Sequence, residues 1–103
     1  MHIKQAQKQD IEALYQAFSL IQSPEEASRF LNDLCTPAEL SAMADRWRVV
    51  KEIKAEKSYR QIYSETGVSI TTVGRIARCI TYGEGGYNLI FERIGSDLDL
   101  AGE

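Results

Sequence analysis

The chain has 103 residues, 44% of them hydrophobic and 26% charged, a composition typical of one globular domain and not of a disordered segment. The net charge of −3 argues at first against a nucleic-acid partner, and the single histidine, His2, leaves no basis for His-centred catalysis or a His-containing metal cluster. No apolar run approaches the ~20 residues of a membrane span and no signal-peptide pattern opens the chain, so we expect a cytoplasmic protein.

Three helices are predicted in the first half of the chain. The first covers Asp10–Gln22, where apolar residues recur at helical spacing on a polar body: Ile11, Leu14, Tyr15, Phe18 and Ile21. Ser23 followed by Pro24 is a helix-start signal, and the second helix should run to about Leu34. Because a small protein cannot leave the first stripe uncovered, that stripe needs either later helices or a second copy of the chain.

A capping box formed by Thr36 and Glu39 opens the third and longest helix, which should run from Pro37 to about Glu56. Its inward stripe is expected to comprise Leu40, Met43, Trp47, Val50 and Ile53. Trp47 at this spacing is interpreted as a core residue.

A helix-turn-helix is predicted for residues 58–80. Its helices are Tyr59–Thr66 and Ser69–Ile80, and Gly67 ends the first one with a positive φ that glycine adopts without strain. Ser69 can cap the second helix. The residues expected to point inward are Ile62, Tyr63, Val68, Val73 and Ile76. The opposite face of the second helix carries small, polar and cationic side chains and no acid, a surface that can enter the major groove.

The charge distribution supports a polyanionic partner. Between Arg46 and Arg78 stand eight basic and three acidic residues, a local net charge of +5, although the whole chain has −3. A basic centre between acidic flanks attracts a polyanion to one place. A solvated helix face with no DNA-binding role would also explain this pattern.

The C-terminal part is less regular. Residues 81–87, TYGEGGY, lack the GK[ST] ending and the preceding strand of a phosphate-binding loop, so they are interpreted as a hinge or turn. Asn88–Ile94 could form a short final helix that buries Leu89, Ile90 and Ile94. We therefore expect a single domain over residues 1–94 and a disordered acidic tail over residues 95–103.

Other functional sites receive little support. Cys35 and Cys79 form no CxxC pair, which favours two reduced thiols packed as small apolar groups. No nucleophile–base pair, metal cluster or phosphate cradle is present, so we do not expect an enzyme or a metal cofactor.

Residues 34–80, LCTPAELSAMADRWRVVKEIKAEKSYRQIYSETGVSITTVGRIARCI, resemble the core of the Trp repressor family. The shared order is Thr-Pro, a long helix with an Arg-x-Arg step, and a Ser-x-Arg-helix-Gly-helix segment that ends in arginine. The YGEGGY segment is further similar to the YerC/YecD-like branch. The resemblance implies an all-α, interlocked helical homodimer with two projecting helix-turn-helix units, which binds double-stranded DNA and represses transcription.

The resemblance also implies an effector pocket for a tryptophan-like corepressor. The positions that match its lining are Thr36, Arg46, Val50, Thr72 and Arg75. Ile76 stands where the tryptophan-responsive repressor has a glycine, and its branched side chain would fill space that the indole needs. Cys79 replaces a serine and is a weaker hydrogen-bonding partner. A tryptophan-like corepressor is therefore disfavoured.

The residues predicted to contact DNA lie before and within the helix-turn-helix: Arg46, Lys54, Lys57, Tyr59, Arg60, Ser69, Ile70, Thr71, Thr72, Gly74, Arg75 and Arg78. The cations before the second helix should neutralise phosphates, and the second helix should approach base edges. A two-fold dimer predicts a palindromic operator with half-sites about 34 Å apart. The alternative is a protein-interaction or scaffold module derived from a helix-turn-helix, without specific DNA binding.

Overall fold

The computed structural model describes residues 5–101, with side chains described as far as residue 95. Within this range the chain forms six helices and no strand, which confirms the all-α prediction. The helices are α1 (Gln5–Ser19), α2 (Pro24–Leu34), α3 (Pro37–Lys54), α4 (Tyr59–Thr66), α5 (Ile70–Tyr82) and α6 (Gly86–Ala101). The chain divides into two compact units, Met1–Leu40 and Ser41–Glu103, called here the N-terminal and C-terminal units. The single domain expected over residues 1–94 stays a prediction.

The N-terminal unit contains α1 and α2. α2 begins as predicted, because the Ser23 hydroxyl accepts a 3.1 Å hydrogen bond from the backbone N–H of Glu26. The prediction for α1 was wrong at both ends, since the helix starts five residues earlier, at Gln5, and ends at Ser19. Phe18 and Phe30 meet edge to face with ring centroids 5.7 Å apart. No residue of α1 or α2 is buried, so the described residues of this unit form no closed core of their own.

The C-terminal unit contains a small core to which three helices contribute: Val49, Val50, Ile62, Val73 and Ile76. Trp47 and Ile53 are half-buried and pack against this core. The indole of Trp47 also faces the ring of Tyr87 from α6, with centroids 6.4 Å apart. The predicted α3 stripe was therefore incomplete, because it contained Val50 but missed the equally buried Val49.

α3 ends in a Schellman motif with a glutamate where glycine is usual. Glu56 has a φ of 62°, and its N–H donates to the Ile53 carbonyl at 2.9 Å. The N–H of Lys57 reaches back to the Glu52 carbonyl at 3.4 Å. The reversal leaves only four residues between α3 and α4.

α5 and α6 are joined by a tight glycine-containing turn, as predicted for this segment. Gly83 is required there because a Cβ at this position would lie 2.5 Å from the Cys79 carbonyl oxygen. The burial predicted for α6 was wrong, since Leu89, Ile90 and Ile94 are 46%, 44% and 39% exposed. α6 also continues through Gly95 to Ala101, where a disordered tail was expected; residues 102 and 103 of that tail lie outside the described residues.

Candidate nucleic-acid interface

The corner between α4 and α5 has the geometry that the sequence predicts. Gly67 has a φ of 77°, and its N–H donates to the Tyr63 carbonyl at 2.8 Å, closing α4. The Thr66 hydroxyl donates to the Ile62 carbonyl at 2.7 Å and accepts from the Val68 N–H at 3.1 Å. The N–H groups of Gly67 and Val68 and two carbonyls at the end of α4 are thus paired at the bend.

Ser69 caps α5 and does not belong to the helix itself, which begins one residue later than predicted and extends two residues further, to Tyr82. Its hydroxyl accepts from the Thr72 N–H at 3.2 Å and donates to the Thr72 hydroxyl oxygen at 3.0 Å. Ser69 and Thr72 were both predicted to contact DNA, and their side chains are therefore already engaged in capping α5.

The outer face of α5 is open to solvent. Ile70 is 49% exposed, and Thr71, Arg75 and Arg78 are exposed as well. Gly74 is half-buried, because the ring of Tyr59 packs beside it; a Cβ added at Gly74 would lie 3.8 Å from the Tyr59 Cε2. Val73 and Ile76 occupy the opposite face, within the core, as predicted. α5 contains no Asp or Glu, so its open face carries no negative charge.

Tyr63 was predicted to point inward and is 51% exposed. The inward position of α4 belongs to Ile62, and one helical step turns the next side chain by about 100°. Tyr63 lies one turn after Tyr59, so two phenols share one flank of α4. Counting charges along the sequence does not reveal that Tyr63 is exposed. The signal that could have predicted its exposure is its hydroxyl, which needs a polar partner or water.

The basic side chains predicted to contact DNA divide into two groups. Arg46 and Arg60 are exposed and form no ion pair with another described residue. Lys54 and Lys57 are engaged. The Lys54 ammonium donates to Asn88 Oδ1 and lies 5.4 Å above the ring centroid of Phe91, so it connects α3 to α6.

Lys57 is the more strongly engaged cation of the two. Its ammonium contacts the carboxylates of Glu52 and Glu65, the latter at 2.8 Å. The hydrogen bond to Glu52 and, after it, the hydrogen bond to Glu65 raise the pKa of Lys57. The pKa of Glu65 is lowered, first by the hydrogen bond from the Lys57 ammonium and second by the hydrogen bond from the Gln61 side chain. The Arg78 guanidinium carbon lies 5.9 Å from the ring centroid of Tyr82, and Arg78 is exposed.

Among the positions that the resemblance implies for an effector pocket, Arg75 lines an open pocket of about 200 Å³ together with Cys79 and Tyr82. Val50 is fully buried, and Ile76, 3% exposed, is part of the same core. Arg46 and Arg75 are exposed. Thr36 forms the expected capping box, accepting from the Glu39 N–H at 3.1 Å. Neither cysteine forms a disulfide.

Two further kinds of site receive no support. Among the side chains described, no three His, Cys, Asp or Glu residues come together as a metal site would require. None of the helices within the described range has the length and apolarity to cross a bilayer.

Comparison with known proteins identifies the arrangement. The family model described as Trp repressor protein matches residues 9–95. This chain belongs to the Trp repressor family. It is 31% identical over 94 residues to the protein YerC of Bacillus subtilis (strain 168), a match that covers 91% of this chain and 90% of YerC. The resemblance to the YerC-like branch is thereby confirmed.

Solved structures give the same answer for the fold. A TrpR-like protein from Eubacterium eligens ATCC 27750 superposes with a TM-score of 0.78 at 36% identity, covering 84% of this chain and 90% of the other. A candidate Trp repressor from Staphylococcus aureus gives a TM-score of 0.79 at 30% identity, covering 92% and 95%. The Trp-repressor-like fold predicted from the sequence is confirmed, and the family is one of regulators and not of enzymes.

Proposed function

We propose that this chain is a sequence-specific DNA-binding regulator, a transcriptional repressor, in which α5 is the recognition helix that enters the major groove. The observation that carries the proposal is the division of α5 into two faces. Val73 and Ile76 hold one face in the core, while the other presents Thr71 and Arg75 to solvent with no acid on the helix. Membership of the Trp repressor family supports the same function.

The base contacts follow from the chemistry of the exposed face. Arg75 can donate two hydrogen bonds to guanine, and the methyl groups of Ile70 and Thr71 suit the thymine methyl. Arg60, in the first turn of α4, and Arg46 are exposed and unpaired with any described acid, so they are the cations best placed to neutralise phosphates. Arg78 is exposed and can serve either role.

We propose that the regulator acts as a homodimer. No apolar side chain that is described in the N-terminal unit is buried, and Tyr15 and Leu20 are among the exposed ones. In the C-terminal unit, α6 exposes Leu89, Ile90 and Ile94, beside an open groove of about 490 Å³ whose lining includes Tyr87. Apolar surface left uncovered in this way is typical of a subunit interface, and a second copy would bury both faces.

We further propose that repression does not depend on tryptophan. Ile76 belongs to the core, where its branched side chain fills space that a glycine at this position would leave open. Cys79 offers only a weak hydrogen-bonding group in place of a hydroxyl. The proposal assigns no catalytic reaction to the chain, and its cytoplasmic location stays a prediction.

Selection from random duplex DNA, followed by gel shift across a salt series with and without amino acids, tests the proposal. We expect a palindromic site and an affinity that falls steeply as salt increases. Arg60→Ala should weaken binding to every duplex and lower the slope of log K against log salt by about 0.9. Arg93 is an exposed arginine on α6, and Arg93→Ala should leave this slope unchanged. Salt-independent binding, or no preference for duplex DNA, would favour the protein-interaction module instead.

A further inference from the structure

Three adjacent residues of the four-residue link between α3 and α4 each direct the chain. Glu56 reverses it at a φ of 62°. Lys57 donates its N–H to the Glu52 carbonyl at 3.4 Å. The Ser58 hydroxyl then accepts from the Gln61 N–H at 3.1 Å and caps α4. The end of one helix and the start of the next are thus set within three residues.

The side chain of Lys57 spans this junction. It contacts Glu52, in the last turn of α3, and Glu65, near the end of α4. The second carboxylate oxygen of Glu65 accepts from the Gln61 side chain at 3.2 Å, and its backbone carbonyl accepts from Arg48 of α3 at 3.4 Å. The C-terminal end of α4 is therefore connected to α3 by polar contacts, directly through Arg48 and indirectly through Lys57.

This environment is unfavourable for a phosphate contact. The side chain of Lys57 is 31% exposed and that of Glu52 only 18% exposed. Two carboxylates already engage the Lys57 ammonium, so a phosphate would have to compete with both of them for this cation. The Glu52 Oε2 atom is buried, and the Lys57 ammonium is the cation that compensates it.

We propose that Glu52, Lys57 and Glu65 form a charged clamp that holds α4, and with it the recognition helix, in a fixed orientation to α3. Lys57 is then a positioning residue for DNA binding and does not contact phosphate, contrary to the role that its charge predicts. The inference rests on the proposed function, because the clamp matters for affinity only if α5 reads DNA.

Neutralising Glu65 separates the two roles, because they predict opposite signs. If Lys57 contacts phosphate, Glu65→Gln removes one of the two carboxylates that compete for its ammonium, and with it a repulsive charge, so DNA affinity rises. If the clamp orients α4, the same variant loses affinity, by about fivefold at most, the upper range for a partly exposed ion pair. Glu92→Gln, the same charge change at an exposed position of α6, is the matched control and should not weaken binding.

The salt slope and rescue by arginine test Lys57 itself. Lys57→Met should weaken DNA binding with an unchanged slope of log K against log salt, and Lys57→Arg should restore affinity, since it can still bridge two carboxylates. A slope lower by about 0.9 in Lys57→Met would overturn the clamp and make Lys57 a phosphate contact. Circular dichroism at the assay temperature confirms that each variant compared is fully folded.

A measurement without DNA distinguishes failure of the clamp from failure of the proposed function. Amide hydrogen exchange of Gln61 and Ile62, in the first turns of α4, should be faster in Lys57→Met and Glu65→Gln than in wild type and in Glu92→Gln. Equal exchange rates in all four proteins would overturn the clamp even if DNA binds. Faster exchange in a protein that binds no DNA would support the clamp as a structural element and reject the DNA-binding proposal.

Discussion

The side-chain amide of Asn88 donates a 3.0 Å hydrogen bond to the backbone carbonyl of Ile80, eight residues earlier. This carbonyl lies in the last turn of α5, where helix carbonyls have no partner within the helix. The Asn88 oxygen accepts from the Lys54 ammonium, so one amide connects the ends of α3 and α5 to the first turn of α6. α6 is thereby joined to the helix-turn-helix by a polar contact as well as by apolar packing.

Asn88→Ala should lower the free energy of unfolding by about 1–2 kcal/mol, because a half-buried carbonyl loses its partner. Asn32→Ala is the control: Asn32 also donates to a carbonyl, that of Ser28, but is exposed, so its removal should cost less than about 0.5 kcal/mol. Urea unfolding followed by circular dichroism measures both. Equal losses of unfolding free energy in the two variants would show that the Asn88 hydrogen bonds stabilise the protein no more than an exposed hydrogen bond within one helix does.

Gly83→Ala should destabilise the protein by about 1–3 kcal/mol, since the added Cβ would meet the Cys79 carbonyl oxygen at 2.5 Å and the backbone must move. Gly86→Ala provides the comparison, because nothing lies within 4 Å of a Cβ at that position, and its effect should stay within about 0.5 kcal/mol. Thermal unfolding of the two variants side by side distinguishes them. A stable Gly83→Ala protein would contradict the turn geometry.

Glu56→Gly should raise the free energy of unfolding by about 0.5–1 kcal/mol. Glu56 occupies the left-handed region at a φ of 62°, which is unfavourable for a residue with a Cβ and favourable for glycine. The greater freedom of glycine in the unfolded chain offsets part of the gain. Urea unfolding provides the measurement, and a loss of stability would show that the glutamate side chain contributes more than its backbone strain costs.

Stability should fall in acid partly through the capping box of α3. The Glu39 carboxylate accepts from the Thr36 N–H at 2.8 Å, and this hydrogen bond lowers the pKa of Glu39 below 4.5. The resulting stability is present above the unfolded pKa and is lost as the pH falls through the lower folded value. Glu39→Gln keeps an acceptor at this position but cannot titrate. Its free energy of unfolding should therefore drop less between about pH 6 and about pH 3 than that of wild type, and parallel curves would contradict this origin.

Features encoded by neighbouring residues were predictable from the sequence. The bounds of α2 and α4 and the positive φ of Gly67 follow from Ser23, Ser58 and the glycine itself, and the structure confirms all three. The early start of α1 was not predictable, because its first turn has no acidic residue and no capping signal marks Gln5. Local rules work where the interaction that stabilises an element lies within one turn of it.

Features that depend on distant partners were not predictable in this way. The apolar spacing of α6 indicates a helix, but it does not tell whether this chain or a second copy covers Ile90. The charges of Lys54 and Lys57 can be counted from the sequence, whereas their partners cannot. Asn88 and Glu65 lie 34 and eight residues away along the chain, outside the spacing of neighbours on one helix.

The proximity of Trp47 to Tyr87 gives the molecule a built-in optical probe. Trp47 is the single tryptophan, and the phenol of Tyr87, on α6, lies 6.4 Å from it. Excitation of tyrosine should therefore be transferred efficiently to the indole while α6 remains in place. We therefore expect tryptophan emission excited through tyrosine to fall when α6 moves away from Trp47, during unfolding or on titration with an oligonucleotide.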